Sequence, residues 1–245
     1  MNIEICNEMK KIRNLLILLI TSLLFASCLD NNESDFNANA DVYVIKKKTG
    51  DADMYAKTFY VYGNQMMQSA SVTETGGSGG KIDLIQDYRS IFVMSKLPQE
   101  SDYLPYPPVT NDYLFQVTSE GGITKEYNDF LSFDDIGIPE IDSIYFSDNN
   151  KYLNVAWTEV DGTDGYLIKI LNTEGEEVLN GYGFGPEVLE YQLNVLLANW
   201  VITPVQGETY VVQVHAFAYE PEFETGYEAY NIQEVAIDEK EIIWP

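Results

Sequence analysis

Apolar and polar residues alternate along most of the chain after residue 40. Val42 and Val44, like Phe59 and Val61, fall on one side of an extended backbone, and this period of two predicts β-strands. The pattern predicts strands over residues 41–47, 56–62, 67–73, 81–85, 90–94, 112–118 and 123–127, and then over 141–146, 152–158, 165–171, 188–193, 209–218 and 230–237. Between residues 41 and 136 no segment is long enough to predict a helix. The fold class is therefore predicted to be all-β.

Turn residues and a proline divide these strands into two sets. The segment Glu120-Gly121-Gly122 predicts a tight hairpin turn inside the first set. The strand pattern then breaks at residues 136–139, where Pro139 fixes its own φ and restricts the residue before it. Short strands separated by turns at this spacing are typical of a β-sandwich. We therefore predict two tandem β-sandwiches, over residues 41–137 and 138–245.

Three aromatic residues mark the second sandwich. Trp157 falls on its second strand, Tyr166 on its third, and Tyr210 follows Gly207-Glu208-Thr209 at the start of strand 209–218. This arrangement resembles a fibronectin type III domain. The resemblance implies that Trp157 lies in the core under Tyr210, and that the Tyr210 hydroxyl returns to a nearby backbone group. Tyr166, which shares one face of its strand with Ile168 and Ile170, is also predicted to belong to the core. The first sandwich resembles an immunoglobulin-like fold in the number and spacing of its strands.

The N-terminal residues predict a secretory signal. A basic cluster at residues 10–13 precedes an apolar run over residues 15–24, and this run is shorter than the roughly 20 residues that span a bilayer. The run ends in Leu24-Phe25-Ala26-Ser27-Cys28, which resembles a bacterial lipobox. The resemblance implies that residues 1–27 are a signal peptide and that the protein is attached to the membrane through lipidated Cys28.

The next segment, residues 28–40, is predicted to hold the lipidated cysteine and a disordered tether. Residues 29–35 are polar, acidic and without periodicity. They also resemble the acidic segment that follows the lipidated cysteine in surface lipoproteins of the Bacteroidetes. This resemblance implies a lipid anchor in the outer membrane with the protein facing the cell exterior, and a protein facing the periplasm is the alternative.

Charge and cysteine content restrict the partners and sites that can be expected. The chain has 39 Asp and Glu residues against 14 Lys and Arg, a net charge of −25. Such a surface repels phosphate groups, so nucleic acid is not expected as a partner. Cys6 falls in the signal peptide and Cys28 at the lipidation site. No thiol is therefore expected for a disulfide, a metal site or a nucleophile.

No pattern of residues predicts catalysis. His215 is the only histidine and is predicted to lie at the surface, on the outward face of its strand, so neither a catalytic triad nor a multi-histidine zinc site is expected. Pairs such as Asp134 and Asp135 are common in so acidic a chain and do not by themselves indicate a glycosidase. Segments 148–150 and 161–164 have oxygen ligands suited to Ca²⁺, but Asp, Asn and Gly are also ordinary turn residues. The protein is predicted not to be an enzyme and to have no metal or cofactor.

Two loops rich in aromatic residues are the candidate ligand-binding sites. Tyr103 and Tyr106 lie in a segment stiffened by prolines, and Tyr219, Phe223 and Tyr227 lie between the last two strands. Loops at the ends of sandwiches carry recognition, and tyrosine offers a large contact area with a polar tip. The competing interpretation is that these rings fold back onto the protein. We expect a non-enzymatic binding module for a glycan or a surface protein; the alternatives are a structural spacer or fimbria-type assembly subunit, and a carboxylate-dependent glycan hydrolase.

Overall fold

The computed structural model describes residues 35–77, 79–87, 90–179, 181–220 and 231–245. The predicted signal peptide, the lipidation site at Cys28, most of the tether, Phe223 and Tyr227 lie outside these residues. The chain divides into two compact units, Met1–Phe36 and Asn37–Pro245, and the second holds all the secondary structure that follows. Among the described residues no helix is long and apolar enough to cross a membrane.

The described chain consists of β-strands and one short 3-10 helix, Glu100–Asp102. The strands are β1 (Ala38–Thr49), β2 (Ala52–Gly63), β3 (Met67–Glu74), β4 (Ile82–Asp83), β5 (Ile85–Gln86), β6 (Val93–Lys96), β7 (Asn111–Ser119), β8 (Thr124–Leu131), β9 (Ile141–Ser147), β10 (Tyr152–Trp157), β11 (Gly165–Asn172), β12 (Tyr182–Phe184), β13 (Glu190–Asn194), β14 (Thr209–Tyr219) and β15 (Ile232–Ile243). The all-β prediction is confirmed.

These strands form three sheets. An eight-stranded sheet has the order β12-β11-β14-β15-β1-β2-β6-β5, a four-stranded sheet the order β4-β3-β7-β8, and a three-stranded sheet the order β13-β10-β9. Within the described residues the strand pairs are antiparallel, except that β1 and β15 pair in parallel.

The first sandwich is built from one half of the large sheet. Strands β5, β6, β2 and β1 face the four-stranded sheet, and Phe59 on β2 packs against Tyr113 and Phe115 on β7 at ring-centre distances of 5.5 and 6.4 Å. All three rings are buried: Tyr113, Phe115 and Val117 alternate along β7, and Phe59 and Val61 share one face of β2. Two four-stranded layers in this order give an immunoglobulin-like sandwich, as predicted.

The second sandwich uses the other half of the large sheet. Strands β12, β11, β14 and β15 face the three-stranded sheet, which is the four-plus-three arrangement of a fibronectin type III-like sandwich. Its core is one cluster of buried residues. Val155 and Trp157 enter it from β10, and Val212, Val214 and Ala216 from β14, where alternate residues point inward.

The two sandwiches are joined side by side through the parallel pair of β1 and β15. The register runs from Val44 opposite Glu234 to Lys47 opposite Ile237. Residues that are register partners point to the same face of a sheet. Lys46 on β1 is the partner of Ala236 on β15, which in turn is the partner of Ala216 on β14. Both small sheets therefore pack on the same face of the large one. The predicted boundary at residue 137 falls in the connection between β8 and β9, and separate folding of 41–137 and 138–245 stays a prediction.

Several strand limits differ from those predicted. β1 begins at Ala38, inside the predicted tether, because residues 38–40 pair with the end of β2. β15 continues to Ile243 through a polar stretch that the alternation did not identify, since β14 supplies backbone partners as far as Thr209. The short strand β12 was missed, and the predicted strand 81–85 is divided into β4 and β5.

The common direction of β1 and β15 gives the large sheet two distinct ends. The chain enters β1 at Ala38, and the register places the start of β15 at the same end, which we call the entry end. The opposite end, which we call the far end, holds Ile243 at the end of β15 and the connection 195–208, because Thr209 pairs with Ile243. The twelve residues of β15 separate the two ends by about 40 Å.

Candidate functional site

The connection 195–208 at the far end carries a group of exposed apolar side chains. Leu196 and Leu197 are 77% and 81% exposed, and Val205 is 58% exposed. Val201 and Ile202 are also exposed, and Ile243 lies nearby at the end of β15. A globular protein rarely leaves so many aliphatic side chains in water on one loop unless they contact a partner. We take residues 195–206, called the far-end loop, as the candidate binding surface.

Trp200 holds the far-end loop against the core of the second sandwich. The Trp200 indole N–H donates to the Val195 carbonyl oxygen at 2.9 Å, and its ring packs edge-on against Trp244 at 5.3 Å. The N–H groups of Val201 and Ile202 both donate to the Val178 carbonyl oxygen, at 3.0 and 3.3 Å. The exposed side chains are therefore presented on an ordered backbone.

Tyr210 fixes the other end of this loop. Its hydroxyl oxygen accepts a hydrogen bond from the Val205 N–H at 2.9 Å, and its buried ring packs against Trp244 at 5.6 Å. The ring beside Tyr210 is thus Trp244 and not Trp157, which differs from the fibronectin resemblance. Trp157 packs instead against Tyr166 at 5.5 Å, because the end of β10 lies at the entry end of the core.

The far-end loop is also free of charge. Residues 191–207 contain no charged side chain, although the whole chain carries a net charge of −25. This absence of charge is a property of the segment, and the exposed acidic side chains of Glu174, Glu176 and Glu208 lie at the same end of the sheet. Aromatic content, on which the predicted sites rest, does not identify an aliphatic loop.

The first predicted aromatic loop lies in the connection between β6 and β7 of the first sandwich. Tyr106 is exposed, whereas Tyr103 is half-buried, with the Lys47 Nζ 4.2 Å from its ring centre. Lys47 also forms an ion pair of 2.5 Å with Glu100. Burial, together with the nearby carboxylates of Glu100 and Glu239, raises the pKa of Tyr103 to about 12. The Tyr103 ring is therefore packed against the protein, whereas the Tyr106 ring is exposed to solvent.

The second predicted aromatic loop begins at the other end of the sheet. Tyr219 is the last residue of β14, its N–H donates to the Asp164 carboxylate at 2.7 Å, and its ring packs on Phe217. Tyr219 pairs with Ile232 at the start of β15, whereas Lys47 beneath Tyr103 pairs with Ile237. The two positions differ by about 17 Å along the strands. Tyr103 and Tyr219 do not belong to one site.

His215 is buried, so its predicted surface position is wrong. Its Nε2 lies 3.0 Å from the Gln213 side-chain oxygen. The outer face of the sheet is apolar at this point, with buried Val235 on β15 and Ile237 directly opposite His215. Burial, with a smaller contribution from the charge of Lys169, lowers the pKa of His215 well below its usual range. His215 is therefore an enclosed, neutral imidazole on the outer face of the sheet.

A buried polar cluster lies at the seam between the sandwiches. The Lys46 Nζ donates to the Asp135 carboxylate at 2.7 Å and lies 3.4 Å from Asp53. Glu234 is fully buried, and one carboxyl oxygen accepts from the Ile136 N–H at 3.1 Å, while no hydrogen-bond partner lies within reach of the other among the described residues. Burial is the main cause that raises the pKa of Glu234 to about 7.

The acidic turns do not assemble a metal site in the described part of the chain, where no group of three or more His, Cys, Asp or Glu residues is placed to hold an ion. Asp164 binds the end of β14, as described above. Asp148, Asn149 and Asn150 all have positive φ and form the tight turn between β9 and β10. These residues act as turn formers.

No protein-family model matches this chain, and no curated protein matches it. Among solved structures it is similar to a segment of two fibronectin type III domains from chicken tenascin, with 14% identity, 84% of this chain and 99% of that chain covered, and a TM-score of 0.29. A DUF3823 family protein from Bacteroides uniformis matches with 8% identity, 85% and 100% coverage, and a TM-score of 0.34. The tetra-tandem repeat in the extending region of a large adhesion protein matches with 12% identity, 84% and 49% coverage, and a TM-score of 0.27. All three TM-scores are low, and these similarities carry no inference about function.

Proposed function

We propose that the protein is a lipid-anchored, non-enzymatic binding module of the outer membrane, which faces the cell exterior and binds a protein partner through its far end. One observation carries this proposal. The chain enters the folded unit at Ala38, and the exposed aliphatic side chains of the far-end loop lie at the opposite end of the large sheet.

Chain length supports this orientation. Cys28 precedes Ala38 by ten residues, which span at most about 35 Å when fully extended. An anchor at Cys28 therefore keeps the entry end near the membrane, and the length of β15 separates the far end from it. A glycan or protein bound beside Tyr219, where the second predicted aromatic loop begins, would have to bind at the entry end, on the membrane side.

The chemistry of the far-end loop favours a protein over a glycan. Sugar rings stack on flat aromatic faces and bond to polar groups, whereas Leu196, Leu197 and Val205 offer neither. Aliphatic side chains bind by burial of apolar surface, at about 25 cal/mol per Å² removed from water. A partner with its own apolar surface gains from this contact.

The structure bears differently on the two alternative roles, a structural spacer and a glycan hydrolase. A structural spacer is favoured by the continuous sheet, which joins the two sandwiches into one unit. A glycan hydrolase needs accessible carboxyl groups with raised pKa values. The pKa values of Asp41, Glu234 and Asp129 are raised; Asp41 and Glu234 are enclosed, and the half-buried Asp129 carboxylate accepts a hydrogen bond from the Val42 N–H at 2.6 Å.

A photo-crosslinking experiment on living cells tests the proposal. A photoreactive residue replaces Leu197 at the far end or, as the matched control, Glu187, which is exposed at the entry end of the second sandwich. We expect protein adducts from position 197 and none above background from position 187. Equal labelling at both positions, or none at position 197, would contradict the proposed orientation. Cys28→Ala, tested in parallel, should release the protein from the membrane fraction.

A further inference from the structure

We propose that the first sandwich contacts the lipid bilayer at the entry end, through exposed apolar side chains that enter the headgroup region. The inference rests on the proposed function, because it takes Cys28 as the site of the lipid anchor. It is carried by the connection between three turns, by the exposure of their side chains and by the place where the chain enters the fold.

Three turns of the first sandwich meet at the entry end. The β2–β3 turn follows Gly63, which pairs with Ala38 at the start of β1. The Gly63 N–H donates to the Phe92 carbonyl oxygen at 2.9 Å, and this bond joins the β2–β3 turn to the β5–β6 turn. The Glu120 N–H donates to the Met66 carbonyl oxygen at 2.9 Å, and this bond joins the β2–β3 turn to the β7–β8 turn. The three turns therefore form one connected end of the sandwich.

Apolar side chains are exposed on two of these turns. Ile91 is 48% exposed, Met66 41% and Phe92 37%. Ile91 and Phe92 are consecutive, and Met66 follows three residues after Gly63, to which Phe92 is bonded. The Phe92 N–H also donates to the Ser90 hydroxyl oxygen at 3.3 Å, so the β5–β6 turn is ordered before it binds. Exposed apolar side chains on adjoining backbone indicate contact with a protein or a membrane.

The chain enters the fold beside the same turns, which favours the bilayer over a protein. The Asn37 N–H donates to the Asn64 side-chain oxygen at 2.8 Å, and the Asn64 N–H donates to the Asn37 carbonyl oxygen at 2.9 Å. Cys28 precedes Asn37 by nine residues, which span at most about 32 Å. An anchored chain therefore keeps the β2–β3 turn within reach of the bilayer at a high effective concentration. A protein partner would have to enter the space between this end and the membrane.

Acidic groups at the entry end determine which lipids fit. Glu120 is exposed in the β7–β8 turn, Asp87 is half-buried at the start of the β5–β6 turn, and the predicted tether is acidic. Carboxylates repel anionic headgroups, so the contact is expected with zwitterionic lipid. Glu159 and Glu187 are exposed at the entry end of the second sandwich, where connections 158–164 and 185–189 have no exposed aliphatic or aromatic side chain. The first sandwich alone is therefore expected to enter the headgroup region.

This contact has a consequence for orientation. The strands of the large sheet run from the entry end to the far end. A bilayer contact at the entry end, in addition to the flexible tether, directs these strands away from the membrane. The far-end loop is then held toward its partner.

The first test uses the lipidated protein in phosphatidylcholine vesicles. Once the signal peptide is removed and Cys28 is acylated, no other thiol remains, so Ile91→Cys, Glu187→Cys and Leu197→Cys can each carry a nitroxide label. We expect the label at position 91 to lie about 5 to 10 Å into the headgroup region, where it collides more often with molecular oxygen than with a water-soluble nickel complex. The labels at position 187, at the entry end of the second sandwich, and at position 197, at the far end, should remain accessible to the nickel complex.

The second test needs no label. Amide hydrogen exchange over residues 90–93 should be slower in these vesicles than in the soluble fragment 29–245, which retains the whole compact unit Asn37–Pro245. The double variant Met66→Ser, Ile91→Ser should remove this difference. Val109→Ser, a change at a residue that is 81% exposed, is the matched control and should preserve it.

Two results would overturn the membrane contact: equal accessibility of the labels at positions 91 and 197 to the nickel complex, or amide exchange over residues 90–93 that the vesicles do not slow. If the protein still sediments with the vesicles in either case, the lipid anchor stands and only this contact is wrong. If the protein does not sediment with them, the anchor and the contact are both wrong.

Discussion

Glu234 and Lys46 bind opposite sides of the same residue, Ile136. The Glu234 carboxyl oxygen accepts a hydrogen bond from the Ile136 N–H at 3.1 Å, and the Lys46 Nζ donates to the Ile136 carbonyl oxygen at 3.0 Å. Lys46 lies on β1 and Glu234 on β15, the two strands that join the sandwiches. The connection between β8 and β9 is therefore fastened to both strands of the seam by buried polar groups.

The first prediction concerns pH. The pKa of Glu234 is raised to about 7 in the folded protein, mainly by burial, from about 4.5 when it is exposed. The folded state therefore holds this proton more tightly, and the associated stability is complete below pH 4.5 and lost as the pH rises through 7. We expect the free energy of unfolding to fall by up to about 3 kcal/mol between pH 5 and 8 from this group. Urea unfolding of residues 29–245 across this range measures the change.

The Glu234→Gln variant is the control for this pH dependence. It keeps an acceptor for the Ile136 N–H but cannot ionise, so the difference in stability between wild type and variant should change with pH. Asp41 and Asp129, whose pKa values are also raised chiefly by burial, contribute a slope in the same direction. His215, whose pKa is lowered by burial, contributes a slope of the opposite sign below about pH 6.5, so the test uses the difference between wild type and variant. Equal slopes for wild type and variant would show that Glu234 does not titrate as described.

The second prediction concerns the lysine of the same cluster. Lys46→Met removes a buried ammonium and leaves the Ile136 carbonyl oxygen and the Asp135 carboxylate without this donor. We expect a loss of about 1 to 3 kcal/mol in unfolding free energy, the usual effect of an unpaired buried polar group. Lys48→Met, which breaks the exposed pair with Glu140, is the comparison and should cause little measurable change. Similar losses in both variants would contradict the role given to the buried cluster.

The third prediction concerns the core of the second sandwich. Trp157 is buried against Tyr166 and Phe184, and its indole N–H has no hydrogen-bond partner among the described residues. Trp157→Ala should cost about 3 to 5 kcal/mol because it leaves a large cavity. Trp157→Phe keeps an aromatic ring and removes the unpaired N–H, so it should cost less than about 1.5 kcal/mol. Chemical unfolding measures the unfolding free energy of both variants. Equal losses of stability would show that the Trp157 ring does not fill the core as described.

The fourth prediction concerns the corner below the far-end loop. Tyr210→Phe removes the acceptor of the Val205 N–H and should cost about 1 to 3 kcal/mol. Hydrogen exchange at the Val205 amide should become faster at the same time. Tyr106→Phe, at an exposed residue, is the control and should change neither quantity. An unaltered Val205 exchange rate in the Tyr210 variant would show that this hydrogen bond does not hold the loop.

Much of the fold was predictable from local alternation. Strand β7 buries every second residue, and that pattern can be read directly from the chain. The parallel pairing of β1 with β15 could not be found in this way, because it joins the first and last strands and has no local signal. The polar end of β15 and the three-residue strand β12 were not predicted for a related reason, because pairing with neighbouring strands and not their own sequence makes them strands.

The candidate site was less predictable than the fold. Sequence reasoning selected aromatic loops, of which Tyr103 is half-buried and Tyr219 lies at the entry end. It placed His215 at the surface because alternation assigns only the side of a strand, and the outer side proved to be apolar here. The absence of charge over residues 191–207 was the useful signal for the far-end loop.

The continuous eight-stranded sheet joins the two sandwiches into one unit with an entry end and a far end. Spin labels test it directly, because residues 29–245 contain no cysteine and accept labels at chosen sites. Glu126→Cys on β8 and Glu190→Cys on β13 place one exposed label on each sandwich. The continuous sheet predicts a single narrow distribution of distances between the labels by double electron–electron resonance. A broad or two-component distribution would contradict it.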